Sequence, residues 1–231
     1  MSAVILIPTV LSEEAIESIP AYVLPAIREC RVLFAENERT ARRYLKQLDK
    51  SIVIDDFEWH AIHKAEAEQV RVFLECLHAG KQVGIISEAG CPGIADPGQV
   101  LVAAAQEAGF SVKPLVGPSS ILMALMASGM NGQHFEFTGY LPVDSSARNK
   151  QIRELEASSQ KNASTKIFIE TPYRNNQLLE SLITNLTGKT RLCVAVDITG
   201  PKESIRTKTI SEWKKNKPDL HKIPVIFLLQ A

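Results

Sequence analysis

Short runs of β-branched and apolar residues alternate with helical patterns along the whole chain, and this alternation constrains the fold more than any other feature. Gly, Pro or polar turn residues bound each run, as is typical of short strands. The predicted strands are residues 3–7, 32–35, 51–54, 82–86, 111–115, 135–138, 165–169, 191–196, 203–209 and 223–229. The predicted helices are residues 21–29, 38–47, 62–79, 97–108, 119–127, 147–157, 175–186 and 211–215.

This alternation predicts an α/β fold with layers around mostly parallel sheets. Residues 83–86 and 166–169 are almost continuously apolar, which fits strands covered on both faces. The rhythm changes at Val116-Gly117-Pro118, because long helices separate the earlier strands whereas the last three strands follow one another closely. We therefore predict two α/β domains, residues 1–116 and 117–231, with the polar stretch 157–164 as a loop.

Composition excludes several classes of protein. The chain has 231 residues with 26 basic and 26 acidic side chains, so nucleic acid can be bound only by a local basic patch. No apolar run is long enough to span a bilayer, and the start lacks the features of a signal peptide, so we expect a cytoplasmic protein. Four scattered cysteines without zinc-ligand spacing predict reduced thiols and no metal site.

The most informative segment is the Gly/Pro loop, defined as residues 87–98. It follows a buried strand and opens a helix at Pro97, for which Asp96 is the predicted N-cap. Gly90 and Gly93 allow the backbone to approach a ligand closely. The loop is therefore either a ligand cradle at the carboxyl end of a strand or a well-capped turn.

Three further segments place polar residues just after strands. Ser119 and Ser120 follow a Gly-Pro turn and are predicted either to cap the next helix or to hold a polar part of a ligand. Residues 170–174 put a carboxylate, a phenol and a guanidinium together, with Glu170 either exposed in a turn or buried against Arg174. Residues 36–46 carry a basic run that forms either a solvated helix face or a contact for phosphates.

The histidines offer little support for a hydrolase. His60 and His63 lie in a polar segment, and no GxSxG nucleophile motif is present in the sequence.

Taken in order, these segments resemble the tetrapyrrole methylase superfamily, and within it the branch of small-subunit ribosomal RNA cytidine 2′-O-methyltransferases. The resemblance covers essentially the whole chain, and the Gly/Pro loop is its most specific part. The motifs that carry it are Ile7-Pro-Thr9, Ala35-Glu-Asn-Glu-Arg39, Ser87-Glu-Ala-Gly-Cys-Pro-Gly-Ile-Ala-Asp-Pro-Gly98, Gly117-Pro-Ser119, Ser128-Gly-Met130, Phe137-Thr-Gly-Tyr-Leu-Pro142 and Glu170-Thr-Pro-Tyr-Arg174.

The resemblance implies a two-domain α/β protein, usually a homodimer, that binds S-adenosylmethionine in a cleft between its domains. Such a cofactor needs shaped apolar walls and a few fixed amides rather than a metal. Carried over position by position, the implied cofactor-binding residues are Pro8, Thr9, Gly90, Cys91, Ile94, Ser119 and Ser120.

Departures from the family pattern cluster on the presumed acceptor side. The usual Pro-Thr-Pro-x-Gly-Asn is Pro8-Thr-Val-Leu-Ser-Glu13 here, and Glu-Asp-Thr-Arg is Glu36-Asn-Glu-Arg39. Cys91 replaces a Thr of the cofactor loop, and Ala-Pro-His-Arg is Thr171-Pro-Tyr-Arg174. These changes predict retained chemistry with an acceptor that can differ.

Methyl transfer to a ribose hydroxyl needs alignment of the reacting atoms and a proton acceptor. Glu36 or Glu170 is the candidate base, with Arg39 and Arg174 placing a phosphate or pairing with those carboxylates; a purely structural Glu–Arg pair is the alternative. Ribosomal RNA is the expected partner, and a tetrapyrrole, a protein side chain or a non-catalytic cofactor-binding role are the alternatives. The expected phosphate contacts are Arg39, Arg42, Arg43, Arg148, Lys150 and Arg153.

Overall fold

The computed structural model describes residues 2–62 and 66–231 and separates into two compact units, Met1–Ser119 and Ser120–Ala231. The unit boundary lies three residues after the one proposed from the sequence, at the point where the Gly-Pro turn ends and the next helix begins. None of the helices in the described ranges is both long enough and apolar enough to cross a bilayer.

The first unit is built on a five-stranded sheet in which every pairing is parallel, in the order β3-β2-β4-β1-β5. Its strands are β1 (Ala3–Ile7), β2 (Val32–Ala35), β3 (Glu58–Ala61), β4 (Val83–Ile86) and β5 (Ser111–Pro114). Its helices are α1 (Val23–Glu29), α2 (Glu38–Leu48), α3 (Glu66–His78) and α4 (Gln99–Glu107).

Both faces of this first sheet are covered. Val4 and Phe34 pack into an apolar cluster on one face with Phe73 of α3, whereas Ile5 and Leu33 pack into a separate cluster on the other face. Successive strand residues point to opposite faces, so a continuous apolar run fills both clusters. This arrangement explains why the β1, β2 and β4 sequences are apolar throughout.

The second unit holds a mixed sheet in the order β6-β7-β10-β8-β9. Only β6 and β7 pair in parallel; the pairs β7–β10, β10–β8 and β8–β9 are antiparallel. Its strands are β6 (Phe135–Tyr140), β7 (Thr165–Ile169), β8 (Arg191–Val196), β9 (Ser204–Thr209) and β10 (Val225–Gln230). Its helices are α5 (Ser120–Ser128), α6 (Ser145–Asn162), α7 (Asn175–Asn185) and α8 (Ile210–Lys215).

Three local predictions are wrong. Residues 51–54 are not a strand, because the Asp49 carboxylate accepts the Ser51 amide at 2.7 Å and turns the chain, so that the third strand comes later, at β3. Residues 157–164 are not a loop, because α6 continues to Asn162 and ends at a left-handed Ala163. The helix predicted from Pro97 begins at Gln99 with Gly98 as its N-cap, so Asp96 does not cap it.

Candidate functional site

In the first unit, three loops leave the same edge of the sheet. β2, β4 and β1 are neighbours and run in parallel, so the segments that follow them emerge side by side at their carboxyl ends. These segments are residues 8–13 after β1, residues 36–40 after β2 and the Gly/Pro loop after β4. The structure therefore brings together two of the four segments that the sequence singled out, the Gly/Pro loop and the segment after β2, with residues 8–13 beside them.

Backbone hydrogen bonds hold the Gly/Pro loop against the end of β1. The Thr9 amide donates to the Gly90 carbonyl at 2.8 Å, and the Gly90 amide donates back to the Thr9 carbonyl at 3.2 Å. The Thr9 hydroxyl reaches the Ser87 carbonyl at 3.5 Å, and the Tyr44 hydroxyl donates to the Pro8 carbonyl at 2.7 Å. Both backbone groups of Gly90 are thus engaged with Thr9, so Gly90 orders the loop.

The Gly/Pro loop also contacts the Gly-Pro turn before α5. The Cys91 thiol donates to the Pro118 carbonyl at 3.5 Å, and burial raises the pKa of that thiol above its ordinary value. An added Cβ on Gly117 would lie 2.0 Å from the Pro8 Cβ, so only glycine fits there. Ile94 is 55% exposed, which leaves an apolar side chain at the surface of the loop.

Three carboxylates gather around these strand ends. The Glu88 amide donates to the Glu36 carboxylate at 3.0 Å, and the Thr40 hydroxyl donates to the Glu88 carboxylate at 3.3 Å. Burial, followed by the charges of Glu36 and Glu88, raises the pKa of Asp96 from 3.8 to about 7. The site therefore carries negative charge that is poorly solvated at Asp96.

Two depressions border the carboxylates. One, of about 330 Å³, is lined by Glu36, Asn37, Glu38, Arg39, Ala61 and Glu88. The other, of about 100 Å³, is lined by Thr9, Val10, Leu11, Glu13, Thr40, Ala41, Arg43, Tyr44, Gln47, Ser87, Glu88 and Ala89. Arg39 is exposed in the first turn of α2, and within the described chain no ion pair joins it to Glu36.

The fourth segment lies in the second unit, after β7. Glu170 has a side chain that is 2% exposed, and its Oε1 accepts from the Thr171 amide at 2.7 Å and from Arg174 at 2.6 and 3.0 Å. Of the two alternatives left by the sequence, Glu170 is thus the buried partner of Arg174. The pair fixes the turn that leads into α7.

The expected basic surface is only partly available. Arg148 is 3% exposed and donates to the Val143 carbonyl at 2.9 Å and to Ser181 at 3.1 Å, so its expected phosphate contact is wrong. Its guanidinium instead fixes the start of α6. Four of the other five basic residues have local partners, namely Glu38 for Arg42, Glu13 for Arg43, Glu154 for Lys150 and Asn185 for Arg153.

Glu58, His60 and Cys76 form a group of possible metal ligands that sequence spacing did not reveal. One ligand atom from each lies within 4.8 Å of the others, because β3 and α3 bring them together. Glu58 already pairs with Lys81 at 2.6 Å and with His60 at 2.9 Å, which weighs against a free carboxylate ligand. His63 lies outside the described residues.

Sequence reasoning missed Tyr44, Glu88 and Asp96 as parts of the site. Tyr44 comes from the buried face of α2, where a tyrosine resembles ordinary core. Glu88 and Asp96 lie inside the Gly/Pro loop, and two acidic side chains close to a strand end are a sequence feature that could have identified them.

Comparison with known proteins finds relatives that are named as methyltransferases. Two relatives are named "Ribosomal RNA small subunit methyltransferase I". That of Vibrio cholerae is 34% identical, and the match covers 64% of this chain and 50% of the relative. That of Mycobacterium bovis is 32% identical, and the match covers 81% of this chain and 64% of the relative. The chain thus spans half to under two thirds of these relatives.

Solved structures share the fold across the chain. The methyltransferase CobJ superposes with a TM-score of 0.66 at 17% identity, covering 100% of this chain and 94% of CobJ. Uroporphyrin-III C-methyltransferase of Thermus thermophilus, complexed with S-adenyl homocysteine, has a TM-score of 0.59 at 16% identity, covering 99% of this chain and 97% of its own. The family model for tetrapyrrole (corrin/porphyrin) methylases matches residues 15–214, and this chain belongs to that family.

Proposed function

We propose that this protein is an S-adenosylmethionine-dependent methyltransferase that methylates ribosomal RNA of the small subunit at a ribose 2′-oxygen. The observation that carries the proposal is the position of the Gly/Pro loop at the carboxyl ends of the central parallel strands, where the amide and the carbonyl of Gly90 both bond to the backbone of Thr9. Ligands of open α/β sheets bind at such strand ends. The names of the relatives support methyl transfer to ribosomal RNA.

The charged and apolar side chains near the Gly/Pro loop of the first unit fit the cofactor. S-adenosylmethionine carries a sulfonium and an ammonium, and the carboxylates of Glu36, Glu88 and Asp96 provide negative potential beside the loop. Exposed Ile94 offers an apolar wall. The residues proposed to hold it are Pro8, Thr9, Gly90, Cys91, Ile94, Ser119 and Ser120, with Thr9 and Gly90 acting by ordering the loop.

When bound, the cofactor supplies an electrophilic methyl group on sulfur. The chain then has two tasks, to align the acceptor oxygen with that methyl and to take up the hydroxyl proton. We assign the proton to Glu36, whose side chain accepts one backbone amide and borders an open depression. Arg39 is exposed and lines the same depression, and we propose that it holds the phosphate next to the acceptor ribose.

Glu170 and Arg174 have a different proposed role. Because Glu170 Oε1 already accepts three hydrogen bonds, the pair is suited to fixing the backbone around residue 171. We therefore treat Glu170 as a positioning residue and Glu36 as the base. The Glu170→Gln variant should keep part of its turnover, whereas Glu36→Gln should lose at least about 100-fold.

The proposed contacts to the acceptor follow from the same reasoning. Without the buried Arg148, the proposed phosphate contacts are Arg39, Arg42 and Arg43 in the first unit and Lys150 and Arg153 in the second. On binding, phosphates would replace the carboxylates that now pair with Arg42, Arg43 and Lys150, and affinity should fall steeply with salt. A tetrapyrrole or protein acceptor would show much weaker salt dependence.

A non-catalytic cofactor-binding module is the second candidate, because the motifs after β1 and β2 depart from the family pattern on the acceptor side. Calorimetric titration with S-adenosylmethionine, paired with a radiolabelled methyl assay on unmethylated small subunits, separates the two. The enzyme binds the cofactor and labels RNA, and Glu36→Gln binds it without labelling. Binding with no label in any acceptor would favour the module, and no binding would refute both.

We further propose a cytoplasmic homodimer. Leu122 and Met126 of α5 are exposed, Met126 by 82%, and they leave apolar surface that a second copy could bury. Sedimentation equilibrium should give twice the monomer mass of 25.5 kDa. A monomer at micromolar concentration would contradict the dimer.

A further inference from the structure

Tyr173 is a large aromatic side chain that the fold does not use for packing. It lies in the turn between β7 and α7 and is 71% exposed, although the flanking Glu170–Arg174 pair holds that turn rigidly. An aromatic ring presented on an ordered backbone loses little conformational freedom when it binds a flat partner. The ring is therefore a candidate contact surface.

Two basic residues of the segment before β10 lie against this ring. The Lys222 ammonium lies over the Tyr173 ring, 5.7 Å from its centroid, and the His221 ring meets it nearly edge-on at 6.3 Å and 77°. Lys222 has a left-handed backbone with a φ of 59°, and its amide donates to the Pro172 carbonyl at 3.0 Å. Backbone bonding thus ties both sides of the cluster together.

The charge of this cluster suits a polyanion. Lys222 lies over the tyrosine ring, and Tyr173 is still 71% exposed, so the ring keeps accessible surface for stacking. The nearby Asp219 carboxylate accepts Asn176 at 2.7 Å and the His221 amide at 3.1 Å. These two bonds order the loop that carries Lys222, whose ammonium lies over the ring.

We propose that Tyr173, Lys222 and His221 form a stacking platform for an unpaired nucleobase of an RNA, with the Lys222 ammonium taking the adjacent phosphate. Every base has a π-face, and aromatic side chains beside cations are a general means of holding single-stranded nucleic acid. RNA is recognised chiefly through such splayed, unstacked bases. The inference rests on the proposed function, since it names how the RNA acceptor is held.

The test separates stacking from phosphate contact. Fluorescence anisotropy of the full chain is measured with a labelled 12-nucleotide oligocytidylate and with an abasic oligoribonucleotide of the same phosphate count. Tyr173→Ala should weaken oligocytidylate binding about 5- to 150-fold and leave abasic binding unchanged, while Tyr173→Phe stays near wild type. Tyr140→Ala, which removes another exposed tyrosine of the second unit, is the matched control and should change neither.

Lys222→Gln should make the fall of log affinity with log salt less steep, by about 0.7 in the slope, for both oligonucleotides. Equal loss on both probes in Tyr173→Ala, or equal wild-type affinity for both, overturns the platform. If wild type labels ribosomal RNA while Tyr173→Ala binds oligocytidylate normally, only this inference fails. If wild type neither binds RNA nor transfers methyl to it, the proposed function fails together with the platform.

Discussion

Replacing Gly117 with alanine should damage the proposed cofactor site through a contact that no side-chain rotation can relieve. The added Cβ would lie 2.0 Å from the Pro8 Cβ and 2.6 Å from its Cγ, well inside van der Waals contact. Pro8 has no rotamer to change, and its carbonyl is fixed by the Tyr44 hydroxyl at 2.7 Å. The backbone at the end of β1 or in the Gly-Pro turn must therefore move.

Overpacking of this kind costs about 1–3 kcal/mol, and the rigid proline ring places Gly117→Ala near the upper end. For a chain of this size each kcal/mol lowers the melting temperature by about 2–4 °C, so we expect a loss of about 6–12 °C. Because the shift occurs beside Pro8 and Cys91, affinity for S-adenosylmethionine should fall at least tenfold, about 1.4 kcal/mol.

Scanning calorimetry and titration with S-adenosylmethionine measure the two effects on the same samples. Gly84→Ala is the control for destabilisation alone, because its Cβ would meet core side chains, namely the ends of Leu33 at 2.6 Å and Ile7 at 2.7 Å and the Cys30 sulfur at 3.2 Å. Gly132→Ala meets nothing within 4 Å and should be neutral. A Gly117→Ala protein with wild-type melting and wild-type cofactor affinity would refute the packing argument.

Three further predictions concern charge and capping. The pKa of Asp96 is about 7 in the folded protein against 3.8 ordinarily, so its protonation stabilises the fold at low pH and that contribution is lost as pH rises through 7. The melting temperature of Asp96→Asn should therefore change less than that of wild type between about pH 5 and pH 8. Identical pH profiles of the two proteins would contradict the shift. Arg148→Ala should lower the free energy of unfolding in urea titration by about 2–4 kcal/mol, because the Val143 carbonyl and Ser181 lose their donor. The dependence of RNA affinity on salt should stay unchanged. A stable variant with a weaker salt dependence would show that Arg148 contacts phosphate after all. Thr209→Ala should cost about 1 kcal/mol by the same titration, because its hydroxyl caps α8, and no loss would show that the cap contributes nothing.

The fold was largely predictable because its signals are local. Continuous apolar runs such as residues 83–86 fill both faces of the first sheet, and alternation with amphipathic helices predicts the α/β layers. The order of the strands was not predictable. The last strand, β10, inserts between β7 and β8 and pairs antiparallel to both, which depends on long-range pairing that no single segment encodes.

The site was predictable as a set of segments but not as a set of roles. Gly/Pro punctuation after β4 marked the loop, yet its bonds to Thr9 and the burial that shifts Asp96 arise only from tertiary contacts. Arg148 illustrates the limit most clearly. A basic residue in a polar helix resembles solvated surface, and only the packing of α6 against α7 buries it.

The central claim is methyl transfer to a ribose of small-subunit RNA. The most direct measurement incubates the full chain with tritiated S-adenosylmethionine and unmethylated small subunits, digests the RNA to nucleosides and locates the label by chromatography and mass spectrometry. The account predicts label in one 2′-O-methylated nucleoside, and at least about 100-fold less with Glu36→Gln. Label on a base, on protein or on no RNA nucleoside would contradict it.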